Sequence, residues 1–164
     1  MNEVASSWLS PVAPVMRPDR LRPSPREIGM LIVDDETAIC RHAERVLRRS
    51  GYLPLVASDG LEAIQLAGSM KRLDLLLTDL NMPEMTGEDL ARHLRGRVPQ
   101  LKVLYMTGLG EGMFRTKTCL LDGEALLEKP YSIARLEHAV SLLACRCSTR
   151  PPDAADIAGE LGCR

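Results

Sequence analysis

Three acidic side chains and one lysine stand where apolar segments of the sequence end. Asp34 and Asp35 follow the run IGMLIV, Asp79 follows LLLT, and Lys129 follows EALLE. Carboxylates within a few ångströms of each other repel, so one would protonate unless a cation neutralised them. Mg²⁺ binds through one or two carboxylates together with phosphate oxygens, and a lysine supplies a point charge for an anion.

These residue types together predict a site for a phosphoryl group. Thr107 ends the apolar segment LKVLYMT, and its hydroxyl can hydrogen-bond an anion. A carboxylate can attack phosphorus and become an aspartyl phosphate, so Asp79 is a candidate acceptor. Because these residues are far apart in sequence, they can form one site only if the fold brings the ends of their strands together.

The apolar pattern between residues 28 and 144 alternates between strands and helices. Short apolar runs predict strands at 28–33, 53–58, 73–78, 101–107 and 124–129. Segments with helical spacing follow them at 36–49, about 60–68, about 87–95, 111–121 and after 132. The pattern predicts an α/β fold with a five-stranded parallel sheet covered on both faces. The C-terminal ends of all its strands would lie along one edge, where ligands bind.

Single residues indicate where these elements begin and end. Asp59 with Glu62 three residues later predicts a capping box at the second helix, and Ser132 predicts the N-cap of the last. Gly51 predicts the end of the first helix. Pro54 favours an edge position for the second strand, because proline cannot donate a ladder hydrogen bond.

One folded domain is predicted within the 164 residues. Residues 1–27, with five prolines, predict a disordered Pro-rich extension; 28–145 form the domain and 146–164 a C-terminal tail. The net charge of −1 argues against bulk electrostatic binding to nucleic acid or membranes, and no apolar run is long enough for a membrane span. The start resembles no signal peptide and the five cysteines lack CxxC spacing, so we expect a cytoplasmic protein with reduced thiols.

Other polar groups carry weaker signals. The CRC at 145–147 lacks the further ligands that a zinc site needs. His42, His93 and His138 fall within predicted helices and are interpreted as solvated. The basic stretches RVLRRS and ARHLRGR are interpreted as exposed helix faces, with a docking surface for an acidic partner as the alternative.

Four blocks of sequence resemble the receiver domain of two-component response regulators. They are VDDE (33–36), TDLNMPEMTG (78–87), YMTG (105–108) and EKPY (128–131). Their order and separations match the family over about residues 28–144. The resemblance implies a doubly wound, flavodoxin-like sheet with strand order 2-1-3-4-5, in agreement with the edge position favoured by Pro54.

The resemblance implies a Mg²⁺ site. Asp35 and Asp79 would bind the ion directly, together with the backbone carbonyl oxygen of Asn81. Asp34 would hold a metal-bound water. Gly87 would help to shape the loop around the site.

The resemblance also implies that Asp79 accepts a phosphoryl group from a sensor histidine kinase or a histidine phosphotransfer protein. Lys129 would bind a phosphoryl oxygen, Thr107 would move its hydroxyl onto the group, and Gly108 would leave room for the phosphohistidine. The Lys129–Pro130 peptide bond would be cis. Such a domain is a phosphoacceptor and not an enzyme, apart from self-catalysed phosphorylation and dephosphorylation.

The expected function is that of a stand-alone receiver that signals through contacts with an unidentified protein target. A homodimer through the fourth helix, fifth strand and fifth helix is a further expectation. Leu126 departs from the family, which usually has an aromatic switch residue there, so an aromatic flip and the segment TGLGEG stay open as routes of transmission. The alternatives are a receiver-fold binding module and a relay or phosphate sink. Asn81, where an aspartate-nucleophile phosphatase would have a second acid, disfavours that class.

Overall fold

The computed structural model describes residues 24–108 and 120–146. Its five strands are all parallel and form one sheet in the order β2-β1-β3-β4-β5. The strands are β1 (Met30–Val33), β2 (Leu55–Ala57), β3 (Leu75–Asp79), β4 (Lys102–Thr107) and β5 (Glu124–Glu128). The α-helices in the described ranges are α1 (Thr37–Arg49), α2 (Gly60–Ser69), α3 (Gly87–Arg95) and α4 (Ile133–Arg146). The predicted fold class and strand order are confirmed.

Some predicted segments lie outside the described residues. They include most of the helix predicted at 111–121, the first part of the N-terminal extension (1–23) and the tail beyond residue 146. Inside the segment predicted as an extension, a 3-10 helix spans Pro25–Glu27, and the Ser24 N–H donates to the Glu27 carboxylate at 2.7 Å. Among the described helices, none has the length and apolar character needed to cross a membrane.

Helix ends follow the signals in the sequence. The Asp59 carboxylate accepts a hydrogen bond from the Glu62 N–H at 2.8 Å, which caps α2. The Ser132 hydroxyl accepts one from the Arg135 N–H at 3.3 Å at the start of α4. Gly51 follows α1 with a φ of 92°, a conformation that glycine adopts without a steric penalty.

Two apolar cores lie on opposite faces of the sheet. Every residue of β1 and β3 is buried, as expected for parallel strands covered on both sides. Alternate residues of β1 point to opposite faces: Met30 and Ile32 join the core under α1 and α4, whereas Leu31 and Val33 join the core under α2 and α3. The central strands are therefore held firmly by apolar burial.

The two edge strands are less buried. Pro54 directly precedes β2, which pairs only with β1, so the predicted edge position is confirmed. At the other edge, β5 pairs only with β4, and among its five residues Leu127 alone is buried. Burial of apolar surface therefore contributes less to the position of β5 than to the position of β1 or β3.

Candidate functional site

The predicted polar residues meet at the C-terminal edge of the sheet. Asp34 follows β1, Asp79 ends β3, Thr107 ends β4 and Lys129 follows β5. The strands pair in a register that places these ends side by side. The structure thus brings together residues that are up to 95 positions apart in the sequence.

Lys129 joins two buried carboxylates. Its Nζ lies 2.7 Å from Oδ2 of Asp34 and 2.5 Å from Oδ1 of Asp79, and it donates a hydrogen bond to each. The exposed fraction of the side chain is 1% for Asp34, 10% for Asp79 and 18% for Lys129. One ammonium therefore balances only one of two carboxylate charges in surroundings that solvent barely reaches, so the three side chains together carry an excess of negative charge.

This charge arrangement shifts the pKa of two of its members. Burial raises the pKa of Asp34 above its ordinary value, and the hydrogen bond from Lys129 opposes that shift in part. Burial alone would lower the pKa of Lys129, but its hydrogen bonds to Asp34 and Asp79 outweigh burial and raise it. The lysine is thus held in its charged form.

The backbone around Asp79 is closely packed. The Asn81 N–H donates to Oδ2 of Asp79 at 2.8 Å, and the Gly87 N–H donates to the Leu80 carbonyl oxygen at 3.0 Å. A Cβ added at Gly87 would lie 2.2 Å from the Asp79 carbonyl oxygen, a separation that excludes any side chain. Glycine at this position allows the loop to fold back against the end of β3.

Asp35 and Asn81 lie at the solvent side of the same edge, where both are exposed. Within residues 24–108 and 120–146, no group of three or more His, Cys, Asp or Glu side chains is arranged to hold a metal ion. Mg²⁺ needs only one or two protein carboxylates, because backbone oxygens, waters and phosphate complete its shell. Three carboxylates at adjacent strand ends against a single ammonium, Lys129, are a donor set whose charge suits a divalent cation.

Thr107 and the start of the last loop complete this edge. Thr107 is buried, and its carbonyl oxygen accepts a hydrogen bond from the Lys129 N–H at 2.7 Å. The Lys129–Pro130 peptide bond is cis, as predicted. Gly108 is partly exposed and ends the first described range, so the segment TGLGEG lies mostly outside the described residues.

Cys40 packs directly behind Asp34. Its Sγ lies 3.4 Å from the Asp34 carbonyl oxygen and 3.6 Å from that of Ala57, at hydrogen-bonding positions. Burial raises the pKa of the Cys40 thiol to about 11, so the thiol stays protonated at neutral pH. Cys145 of the CRC stretch is a free, partly exposed thiol, and Cys147 lies outside the described residues.

A second buried polar cluster was missed at the sequence level. Arg95, Tyr105 and Glu124 come together where α3 and β4 meet the start of β5, and the Glu124 carboxylate accepts hydrogen bonds from both other side chains. The interpretation of ARHLRGR as an exposed helix face is wrong for Arg95, although Arg92 and His93 are exposed. Arg95 and Glu124 are 29 positions apart, so no local pattern indicates their pairing.

The surroundings of Leu126 differ from those of a buried switch residue. Leu126 is 37% exposed on β5, and its neighbour in the sheet register is Tyr105 of β4. Tyr131 lies on the other face of the sheet, with its hydroxyl 3.6 Å from the Met106 sulfur. Neither tyrosine side chain occupies the position of Leu126.

Comparison with known proteins identifies a family for this arrangement. The model of the response regulator receiver domain matches residues 30–141. The response regulator MprA of Mycobacterium tuberculosis is 32% identical over 129 residues, which cover 79% of this chain and 55% of that protein. The sensor kinase CckA of Brucella abortus is 31% identical over 112 residues, which cover 68% of this chain and 12% of the kinase. The chain thus spans only about half the length of MprA.

A solved structure agrees with these matches. The crystal structure of a response regulator receiver protein from Sinorhizobium medicae superposes with a TM-score of 0.65 at 27% identity, and the alignment covers 73% of this chain and 96% of that one. The strand order, the acids and lysine at the C-terminal edge and the match over residues 30–141 lead to one conclusion. The chain belongs to the response regulator receiver family.

Proposed function

We propose that this receiver domain accepts a phosphoryl group on Asp79 from a phosphohistidine of a sensor histidine kinase or a histidine phosphotransfer protein. Receiver domains are phosphoacceptors of two-component signalling. In the step, an oxygen of Asp79 forms a bond to phosphorus as the P–N bond to the histidine breaks. The imidazole leaves with the bonding electron pair and takes up a proton from solvent.

One observation carries this proposal: a single ammonium, Lys129, is shared by the buried carboxylates of Asp34 and Asp79. A carboxylate that must receive a dianionic group needs positive charge beside it before and after the transfer. Lys129 can exchange one of its carboxylate contacts for a phosphoryl oxygen. The Thr107 hydroxyl, at the end of the neighbouring strand, would bind another oxygen of the same group.

The donor set supports a Mg²⁺ requirement, which is general in this family. Asp35, Asp79 and the carbonyl oxygen of Asn81 would hold the ion, and Asp34 would hold a water bound to it. The bound ion would supply positive charge to the phosphoryl oxygens during transfer. The chain's own contribution is to hold the Asp79 carboxylate in place, through the Asn81 N–H, and to keep Lys129 protonated beside it.

Phosphorylation would act through contacts with another protein. MprA is named a response regulator and CckA a sensor kinase, so proteins of both kinds contain a domain like this one. An exposed leucine at position 126 favours an output that does not depend on an aromatic switch, as in a relay intermediate or a phosphate sink. The stand-alone arrangement, the homodimer face and the cytoplasmic location stay predictions.

Intact mass spectrometry tests the proposal. Incubation with acetyl phosphate and MgCl₂ should add one phosphoryl group to the wild-type chain, and EDTA should prevent the addition. Asp79→Asn should abolish it. Asp89→Asn is the control for the loss of an aspartate charge, because Asp89 is an exposed aspartate on α3 whose side chain pairs with Arg92 and Thr86, and it should leave the uptake unchanged. Absence of the added mass in the wild type, or its persistence in Asp79→Asn, would refute the proposal.

A further inference from the structure

The strand that carries Lys129 is the one that apolar burial holds least. β5 pairs with β4 alone, Leu127 is its one buried residue, and Leu126 is 37% exposed. Register is strongly specified where a face of a strand is buried and weakly specified where it is not. Some other interaction must therefore contribute to the alignment of β5 with β4.

The Glu124 cluster, formed by Arg95, Tyr105 and Glu124, supplies such an interaction at the first residue of β5. Oε1 of Glu124 accepts hydrogen bonds from the Arg95 guanidinium and, at 3.2 Å, from the Tyr105 hydroxyl. Oε2 accepts one from the Leu121 N–H at 2.8 Å. The Glu124 side chain is 5% exposed and that of Arg95 19%. Both carboxylate oxygens are therefore engaged, and the bonds from Arg95 and Tyr105 are partly buried and involve a charged acceptor, which makes them strong.

These contacts tie β5 to two other elements. Arg95 is the last residue of α3, and its guanidinium also donates to the Leu101 carbonyl oxygen at 3.2 Å, just before β4. Tyr105 is part of β4. The start of β5 is thus connected by side chains to α3 and to β4, in addition to the backbone ladder that begins at the Val103–Glu124 pair.

The alignment matters at the other end of the strand, where the ladder reaches the Thr107–Glu128 pair and Lys129 follows. A shift of β5 by one residue moves it about 3.3 Å along β4 and turns its side chains to the opposite face. Such a shift would move Lys129 away from Asp34 and Asp79 and bring Glu128 toward them. A third carboxylate would then stand where the ammonium is needed.

We propose that Glu124 is a positioning residue for Lys129: by binding Arg95 and Tyr105 it sets the alignment of β5 that places the lysine on both aspartates. The consequence for phosphorylation rests on the proposed function of Asp79. The positioning itself concerns the unphosphorylated protein and can be measured without any phosphodonor.

The test compares Glu124→Ala with Glu128→Ala. Glu128 is an exposed acid of the same strand whose side chain makes no hydrogen bond or ion pair to a described residue, so it controls for the loss of a carboxylate on β5. The readout is the rate at which acetic anhydride acylates the Lys129 amine, measured by peptide mass spectrometry. We expect Glu124→Ala to raise this rate at least roughly tenfold, the population change for losing a single hydrogen bond to a charged group, because alanine removes all three bonds to the carboxylate. Glu128→Ala should match the wild type.

If Glu124 only stabilised the domain as a whole, its loss would open the whole domain, so amide hydrogen exchange at Leu76 serves as the reference for global opening. Leu76 is fully buried in β3, which β4 separates from β5. Glu124→Ala should raise Lys129 acylation far more than hydrogen exchange at Leu76. Glu124→Gln keeps one acceptor oxygen and the side-chain shape, so its Lys129 acylation rate should lie between those of Glu124→Ala and the wild type. If Glu124→Ala does not fold, Glu124→Gln replaces it in the comparison.

Two results would overturn the inference: a Lys129 rate unchanged in both Glu124 variants, or one that rises in parallel with hydrogen exchange at Leu76. Initial rates of phosphoryl uptake from acetyl phosphate test the consequence for phosphorylation. These rates should fall in Glu124→Ala but not in Glu128→Ala. If the wild type itself takes up no phosphoryl group, the proposed function fails, whereas the acylation rates still decide whether Glu124 positions Lys129.

Discussion

Two buried polar clusters lie near opposite ends of the β4–β5 pair, and their charge balance differs. The acidic site, formed by Asp34, Asp79 and Lys129, has two carboxylates for one ammonium, with a further acid exposed beside it. The Glu124 cluster has one guanidinium, one carboxylate and one neutral hydroxyl. Both clusters join strands to distant parts of the chain by hydrogen bonds of ordinary length or shorter.

The difference in charge balance separates a cluster that can attract a further ion from one that cannot. A balanced cluster satisfies its own charges, so nothing is gained by admitting another ion. An excess of negative charge favours the binding of a cation. The stability of the acidic site should therefore depend on whether a cation is bound. The same kinds of side chain therefore connect segments in the Glu124 cluster, whereas in the acidic site they leave a net negative charge that favours a bound cation.

The largest expected effect comes from Lys129→Met, which leaves Asp34 and Asp79 buried together without a cation. Breaking a buried ion pair by removing one partner costs about 3–5 kcal/mol. We expect a loss of that size in the free energy of unfolding at neutral pH, measured by urea denaturation. Because the excess negative charge grows, MgCl₂ should stabilise Lys129→Met more than the wild type.

Arg95→Met is the matched change in the Glu124 cluster. It removes the only cation of that cluster and should also lower the free energy of unfolding, since Glu124 keeps its hydrogen bonds from Tyr105 and Leu121 but loses its ion pair. MgCl₂ should not restore the free energy of unfolding of Arg95→Met. Equal stabilisation of both variants by MgCl₂ would contradict the distinction between the two clusters.

A smaller effect is expected from glycines beside each cluster. In Gly87→Ala the new Cβ would lie 2.2 Å from the backbone oxygen of Asp79, and that oxygen cannot move without displacing the Asp79 carboxylate. We therefore expect the free energy of unfolding to fall by about 3 kcal/mol and phosphoryl uptake to slow. In Gly123→Ala the nearest atom, at 2.6 Å, belongs to the flexible Lys102 side chain, and the φ of 85° alone costs about 1 kcal/mol. Thermal denaturation measures the loss of stability in both variants. A larger loss in Gly123→Ala than in Gly87→Ala would show that the acidic site tolerates backbone movement.

The smallest effect is expected from Tyr105→Phe, and it depends on pH. Burial, helped by the charge of Glu124, raises the pKa of Tyr105 above its ordinary value of 10.0. At neutral pH the loss of the hydroxyl should cost about 1 kcal/mol. Above pH 10.0 the unfolded wild-type chain loses the phenolic proton first, so its unfolded state binds fewer protons and the free energy of unfolding falls as pH rises.

Tyr105→Phe lacks this ionisation, so the difference in stability between the two proteins should shrink as pH increases past that value. Urea denaturation of both proteins at neutral and alkaline pH measures the difference. Lys129 loses its own stabilising charge at high pH equally in both chains, so it cancels in the comparison. A constant difference across the range would show that the Tyr105 hydroxyl is not buried against Glu124.

Much of the fold and of the acidic site followed from local sequence signals. Apolar runs of strand length and helical spacing report which faces are buried, and β1 and β3 are buried throughout as predicted. In a parallel sheet every strand points its C-terminal end to one edge, so residues that follow apolar runs, such as Asp34, Asp79 and Lys129, had to lie near one another. The four motif blocks then indicated the family and the strand order.

Only the tertiary structure decided which atoms meet. The sequence indicated that Lys129 lies near the acids, but only the packed structure places its Nζ at 2.7 Å from Asp34 and at 2.5 Å from Asp79. It also did not reveal that Arg95, on a helix face rich in basic residues, turns inward to Glu124. Periodicity describes the average environment of a helix face, whereas an ion pair between segments 29 residues apart depends on how those segments pack.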